Sequence, residues 1–242
     1  MKIEGRNGVR EALLSGQKIE KIIVANGTFD KTINEILDLA KKRKIKVNFL
    51  PSEALNKESI TKKHQGVIAY GEDFEYSTLE DILNIANEKG KPHFILILDG
   101  IEDPHNLGSI IRVCDCMGVD GVVIAKNRAC PVNETAIKSS AGASAYVKVA
   151  KVTNINDAIR YLKEQNIWVY ACELGGSDLT KSNLTGDVAI VIGSEGFGVS
   201  SLTKKLCDGI VTIPMEGHVN SLNASVATGM VLYECKKQRD SK

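Results

Sequence analysis

The feature that most constrains this chain is a series of short, almost wholly apolar runs separated by helix-length amphipathic stretches. Residues 94–98 read Phe-Ile-Leu-Ile-Leu and residues 188–192 read Val-Ala-Ile-Val-Ile. A strand that is apolar without alternation has to be covered on both faces, and the intervening helices supply that cover. Strands are expected at 21–25, 46–50, 94–99, 121–125, 168–172, 188–193 and 209–214. Helices are expected at 31–44, 106–117, 156–165, 200–207 and 221–237. Strand–helix alternation of this kind indicates an α/β fold with a largely parallel sheet. None of the apolar runs approaches the ~18 residues that a membrane span requires, and the opening MKIEGRNGVREALLSG lacks the apolar stretch of a secretory signal.

The pattern is interrupted once, at residues 71–91, which open on Gly71-Glu72-Asp73-Phe74-Glu75 and close on Lys89-Gly90-Lys91 before Pro92. A short helix is expected inside this connector, at 78–87. It divides a small N-terminal domain, residues 1–70, from a larger one, residues 92–242. The charge divides the same way. The whole chain of 242 residues nets only +1, but residues 1–70 hold 14 Lys and Arg against 8 Asp and Glu, a net of +6, and residues 71–242 hold 17 against 22, a net of −5. A basic segment of this size points to an anionic partner. Lys41-Lys42-Arg43-Lys44 closes a predicted helix, where cations also serve the helix dipole and solvate a surface. Together with Arg6, Arg10, Lys62 and Lys63 and the +6 balance, the run marks RNA contact. The six cysteines form no C-x-x-C pair, and Cys114 and Cys116 lack a second pair or a histidine at zinc-site spacing. A reduced, cytoplasmic protein without a structural metal is expected.

Three segments of the larger domain depart from plain strand and helix. In the first, a buried-type strand ends in Asp99-Gly100-Ile101-Glu102-Asp103-Pro104-His105-Asn106, and a helix carrying Arg112 follows. Ligands of open α/β sheets bind beyond the carboxyl ends of the strands, which is where these polar residues fall. A purely structural reading has Asp103 or Asn106 capping the helix and Arg112 pairing with Asp115. The second segment is Ile192-Gly193-Ser194-Glu195-Gly196-Phe197-Gly198. Its spacing is neither that of a P-loop nor that of a dinucleotide fingerprint, and Glu195 would repel a phosphate. A neutral or cationic ligand fits better. The third runs Ile213-Pro214-Met215-Glu216-Gly217-His218-Val219-Asn220-Ser221-Leu222-Asn223-Ala224-Ser225, with more capping groups than one helix start needs. No nucleophilic triad can be assembled from four scattered histidines.

In this order and spacing the three segments resemble the motifs of the SpoU (TrmH) branch of the SPOUT RNA methyltransferases. The likeness runs through Asn106 with Arg112 six residues on, Gly193-Ser194-Glu195-Gly196, and Ile213-Pro214-Met215 followed by Ser221-Leu222-Asn223-Ala224-Ser225. Upstream, Ile3-Glu4-Gly5-Arg6-Asn7-Gly8-Val9 and Lys63-His64-Gln65-Gly66-Val67 resemble the N-terminal domain of the RlmB-type subgroup. The resemblance implies an α/β domain with a deep trefoil knot, preceded by a small α/β RNA-binding domain like a ribosomal-protein module. It implies S-adenosyl-L-methionine held at Ile192, Gly193, Gly196, Ile213 and Leu222, a homodimer through the C-terminal domain, and a methyl group delivered to the ribose 2′-OH of a guanosine in large-subunit ribosomal RNA. It assigns the chemistry to Arg112, with Asn106, Glu195, Ser221 and Asn223 in support. Asn220 stands where family members often carry Glu or Ser.

Two other readings stay open on the sequence: transfer RNA as substrate, against which the N-terminal module of residues 1–70 argues, and a non-catalytic RNA-binding factor that has kept the fold.

Overall fold

The computed structural model describes residues 1–15, 17–218 and 221–241; Asn220, whose role the sequence left open, lies outside them. The N-terminal part comprises β1 (Lys2–Glu4), α1 (Arg6–Leu14), β2 (Ile19–Ala25), α2 (Lys31–Lys42), β3 (Lys46–Leu50), α3 (Ser52–Glu58) and β4 (Val67–Gly71). Its four strands are ordered β1-β4-β2-β3, with β4 antiparallel to both neighbours and β2 parallel to β3. Asp30 caps α2 through its carboxylate, which accepts from the backbone N–H groups of Thr32 and Ile33. Such a cap satisfies donors that the first helical turn leaves unpaired.

The remainder forms α4 (Leu79–Lys89), β5 (Phe94–Asp99), α5 (Pro104–Met117), β6 (Gly121–Ala125), α6 (Glu134–Ser139), β7 (Lys148–Val152), α7 (Ile155–Glu164), β8 (Trp168–Asp178), β9 (Val188–Gly193), α8 (Ser201–Leu206), β10 (Gly209–Thr212) and α9 (Ala224–Asp240). The six strands make one sheet, ordered β10-β8-β9-β5-β6-β7 and parallel throughout. Phe94 to Leu98 and Val188 to Ile192 are buried on both faces, as their unbroken apolarity requires.

Three strands were not anticipated. β1 has three residues, β4 follows a loop rich in polar groups, and β7 reads Lys148-Val149-Ala150-Lys151-Val152 with both lysines exposed, as suits the sheet's edge. The helix expected within the connector is α4, two residues longer at its C-terminal end and opened by a capping box of Thr78 and Asp81. Its Ile82 and Leu83 pack with Ile95, Ile97 and Val123 against the parallel sheet.

The largest correction concerns β8, which continues to Asp178 rather than ending at Cys172. It pairs with β10 through a jump in register: Ile210 lies opposite Ala171, and Val211 lies opposite Ser177. The intervening residues are pushed out of the ladder. Thr212 pins the displaced segment, its hydroxyl donating to the Glu173 carbonyl (2.6 Å) and accepting from Gly176 N–H (2.7 Å). Gly176 is obligatory, because a Cβ there would lie 2.3 Å from the Ile210 carbonyl oxygen.

A buried polar clamp joins the two sheets. Glu4, only 3% exposed, accepts hydrogen bonds from Ser59 Oγ (2.9 Å), Ile60 N (2.6 Å), Thr61 N (3.3 Å) and the Thr61 hydroxyl. Lys138 of α6 reaches across to Glu4 at 3.5 Å and donates to the Lys63 carbonyl at 2.7 Å. Beside it, the Lys2 N–H donates to Glu134 at 2.7 Å.

Candidate active site

The three atypical segments converge at the carboxyl edge of the parallel sheet, where Asp99 and Gly193 are neighbours in register. The chain leaves β5 through a loop that Asp103 ends as the N-cap of α5, its carboxylate accepting from His105 N and Asn106 N, with Pro104 at the first helical position. Asp103 therefore caps the helix alone and Asn106 is released for another partner.

That partner is Glu195. The loop after β9 folds back on the strand, with Ser194 and Gly198 exchanging backbone hydrogen bonds at 3.2 and 2.9 Å. Only glycine is tolerated at 193, since a Cβ would stand 2.0 Å from the Gly198 carbonyl carbon and 2.2 Å from Val199 N. The fold-back presents Glu195 Oε1 to three donors: Asn106 Nδ2 (3.0 Å), Asn223 Nδ2 (2.5 Å) and Ala224 N (3.2 Å). Asn223 Nδ2 also donates to Asn106 Oδ1 at 2.9 Å, while Asn223 Oδ1 caps α9 by accepting from Ser225 N and Val226 N. This cap is why α9 starts at Ala224 and not at 221. One carboxylate and two carboxamides thus tie segments about ninety and about thirty positions apart, and Asn106 is buried among them.

Beside this cluster lies a pocket of about 310 Å³, within the range of small-molecule sites. Ile192, Gly193, Gly196, Ile213 and Leu222 all line it, as do Glu195 and Ser221. Space around the Gly196 Cα is open, with no atom within 4 Å of a Cβ placed there. The displaced segment of β8 supplies a wall that the sequence reading missed: Cys172, Glu173 and Leu174. The Gly175-Gly176 pair was its one signal. Glu173 Oε2 accepts from Val199 N (3.0 Å), and burial, reinforced by Glu173, pushes the Cys172 thiol up to about 11.

Arg112 sits apart from the cluster. It is exposed on α5, six residues beyond Asn106 and so about 9 Å along the helix, and the pairing with Asp115 that the purely structural reading offered is not formed. Among the described residues it has no hydrogen-bond or ion-pair partner. His218 is exposed in the loop of the third segment.

The basic N-terminal residues divide by what already engages them. Arg43 donates to the carbonyls of Leu13 (2.8 Å) and Gln17 (2.7 Å), closing the C-terminal end of α1. Arg10 is paired with Glu35 (2.8 Å) and with Glu11. Arg6 pairs with Asp30 at 2.6 Å and donates to the Gln65 carbonyl. Lys62 donates to the Asn56 carbonyl, and Lys41, Lys42 and Lys63 are exposed. Among the described residues no group of three His, Cys, Asp or Glu side chains could hold a metal ion, and no helix is long and apolar enough to cross a membrane.

The residues present fit S-adenosylmethionine. No Lys or Arg lines the pocket, its floor is apolar at Ile192, Ile213 and Leu222, and its acidic edge suits a sulfonium and repels polyphosphates. Fold and pocket together define an α/β enzyme domain built around a phosphate-free cofactor. Comparison with known proteins agrees. Residues 93–233 match the model of the SpoU rRNA Methylase family, and residues 2–77 match that for RNA 2′-O ribose methyltransferase substrate binding. A TrmH family tRNA/rRNA methyltransferase of Bacillus subtilis is 41% identical over 98% of this chain and 95% of its own length. One from Staphylococcus aureus is 45% identical over 98% and 96%. In the solved structures, the SpoU methyltransferase AviRb of Streptomyces viridochromogenes, in complex with AdoMet, superposes with a TM-score of 0.85 at 23% identity, covering 100% of this chain and 91% of that one.

The chain belongs to the SpoU rRNA methylase family. That family consists of S-adenosylmethionine-dependent RNA 2′-O-ribose methyltransferases of the SPOUT class.

Proposed function

We propose that this protein methylates the ribose 2′-OH of a guanosine in large-subunit ribosomal RNA. The observation that carries the reading is the Asn106–Glu195–Asn223 cluster, which fastens a cation-free pocket to the helix that bears an unpaired arginine. The N-terminal domain, residues 1–70, is the RNA-gripping part in this reading; its +6 charge supports contact with an RNA backbone, and the presence of the module argues against transfer RNA as the substrate.

S-adenosylmethionine, when bound, supplies a methyl group on a positively charged sulfur. The protein's task is then to hold a ribose oxygen about 3 Å from that methyl carbon, in line with the bond that breaks. Ile192, Ile213 and Leu222 exclude water from the cofactor side. Glu195 keeps the walls of residues 193–198 and 221–224 in register through its three hydrogen bonds. Ser221 places a hydroxyl at the pocket rim. Arg112 holds the target phosphate and stabilises the alkoxide as it develops; a guanidinium keeps its proton and is a poor base. Arg112→Lys tests that division. It should retain cofactor affinity and lose most methyl transfer. A rate that climbs at high pH along a shifted limb would instead assign base catalysis to this position.

The same reading makes the enzyme a cytoplasmic homodimer whose C-terminal end is threaded as a trefoil knot. Dimerisation is supported by Val226, Met230 and Tyr233, exposed on one stripe of α9, the helix that packs on α5, which carries Arg112. The knot is supported by the fastening of residues 223–224 to the loop after β9. Purified protein should transfer labelled methyl from S-adenosylmethionine to naked large-subunit ribosomal RNA and not to transfer RNA. Transfer to transfer RNA alone would change the substrate, and transfer to neither would favour the binding factor. Mapping of ribose methyls with and without the gene would identify the nucleotide.

A further inference from the structure

Two phenylalanines of the N-terminal domain stand in the open. Phe29, in the loop before α2, is 67% exposed, and Phe49, on the edge strand β3, is 45% exposed. Their ring centroids are 6.5 Å apart with planes inclined by 32°, so the rings neighbour one another without covering each other's faces. Large aromatic groups left on a surface side by side mark an interaction site.

The surroundings say what kind. Ala25 N–H donates to the Gly66 carbonyl and Asn26 N–H to the Leu50 carbonyl, so the loops at 26–30, 50–51 and 62–66 meet at one end of the N-terminal sheet. Arg6 bridges two of them, pairing with Asp30 and donating to the Gln65 carbonyl at 3.0 Å. Lys62 and Lys63 are exposed on one of the two loops that Arg6 joins, 62–66. Lys62 and Gln65 both hold left-handed backbone, at φ of 58° and 53°, a conformation that costs energy for residues with a Cβ and collects at ligand clamps. Flat apolar faces flanked by cations fit a ligand that is aromatic and anionic at once.

We infer that Phe29 and Phe49 form a stacking platform for an unpaired base of the RNA substrate, with Lys62 and Lys63 beside it on the sugar–phosphate chain. A duplex keeps its base faces covered, so the platform selects an unpaired or bulged nucleotide. The inference rests on the RNA methyltransferase reading and adds the feature of RNA that the N-terminal domain would recognise. Lys41 and Lys42, at the far end of the twelve-residue helix α2, lie roughly 18 Å from this patch and would serve a different stretch of backbone.

The test uses the full-length protein, a single-stranded oligoadenylate carrying 2-aminopurine, and an RNA duplex of equal length. Phe29→Ala and Phe49→Ala should each weaken single-strand binding about tenfold, abolish the 2-aminopurine quenching, and leave the slope of affinity against salt unchanged. Phe49→Tyr should restore both affinity and quenching, and duplex and cofactor affinity should not move in any of these variants. Lys63→Gln should instead lower the salt slope by about one. Wild-type binding to RNA that the phenylalanine variants do not weaken, or weaken equally for duplex, would overturn the platform alone and point to a protein partner on these rings. Failure of the wild type to bind either RNA would overturn the platform together with the functional reading beneath it.

Discussion

Replacing Glu4 with alanine removes the centre of the clamp between the two sheets. Four hydrogen bonds and the counter-ion of Lys138 disappear together. Removing one member of a buried, hydrogen-bonded ion pair costs about 3–5 kcal/mol, because the partners stay desolvated. Here Ile60 is itself 56% exposed, so water can reach its amide, and Lys138 keeps the Lys63 carbonyl. The lower part of that range, about 3–4 kcal/mol, is expected. For a chain of this length each kcal/mol is worth about 2–4 °C, so the midpoint should fall by roughly 6–16 °C. Urea unfolding followed by far-ultraviolet dichroism measures the loss. Glu4→Gln, which keeps an acceptor for Ile60 and sets an amide against Lys138, should fall between the two. The pH dependence carries a sign. Burial pushes the Glu4 carboxyl up, but the hydrogen bonds from Thr61, Ile60 and Ser59 outweigh it and hold it below its ordinary 4.5. A carboxylate depressed in the folded state contributes stability that is complete above its unfolded value and is lost as pH falls through the folded one. The gap between wild type and Glu4→Gln should therefore be flat from pH 8 to about pH 5 and close below pH 4.5. A destabilisation by Glu4→Ala of under about 1 kcal/mol would refute the clamp.

Three further outcomes are expected. Glu195→Ala leaves Asn106 Nδ2 and the Ala224 amide without their acceptor and Asn223 Nδ2 with Asn106 Oδ1 alone, and should weaken S-adenosylmethionine binding about five- to thirtyfold by calorimetry, with Glu195→Gln much closer to wild type; equal affinities in all three proteins would contradict the fastening role. Gly193→Ala forces a methyl group into the backbone of Gly198 and Val199, so it should abolish cofactor binding while the N-terminal sheet stays folded by hydrogen exchange. Alkylation at pH 8 should label exposed Cys116 well before Cys172, whose thiol, raised to about 11, is about one part in a thousand thiolate there; comparable rates would count against the burial of the pocket wall.

Much of this was legible in the sequence, for identifiable reasons. β5, β6 and β9 were placed to the residue, because continuous apolar runs flanked by glycine and aspartate leave little freedom in where a buried strand ends. The pocket residues of the second and third segments were legible because close backbone approach and helix capping each admit few residue types. What escaped was set by long-range geometry. The outward displacement of β8 depends on how β10 registers against it, and nothing in Trp168–Asp178 alone announces that jump. β7 was hidden by its two lysines, which read as surface and are the ordinary dress of an edge strand. Arg43 looked like one more cation in a run, and only the fold shows it closing α1. Phe29 and Phe49 lie apart in sequence and have no significance until they are seen together.

The site's dependence on Asn223 and Ala224 has a consequence for the order in which the chain becomes active during synthesis. All four strands of the N-terminal sheet have been made once Gly71 is added, whereas the cofactor pocket draws its walls from Cys172 through to Ala227. Domains fold in the order in which they leave the ribosome. In the proposed reading, a nascent chain thus presents an RNA-gripping surface long before it can hold a methyl donor. A ribosome stalled within residues 72–220 would carry a module that occupies its target without modifying it.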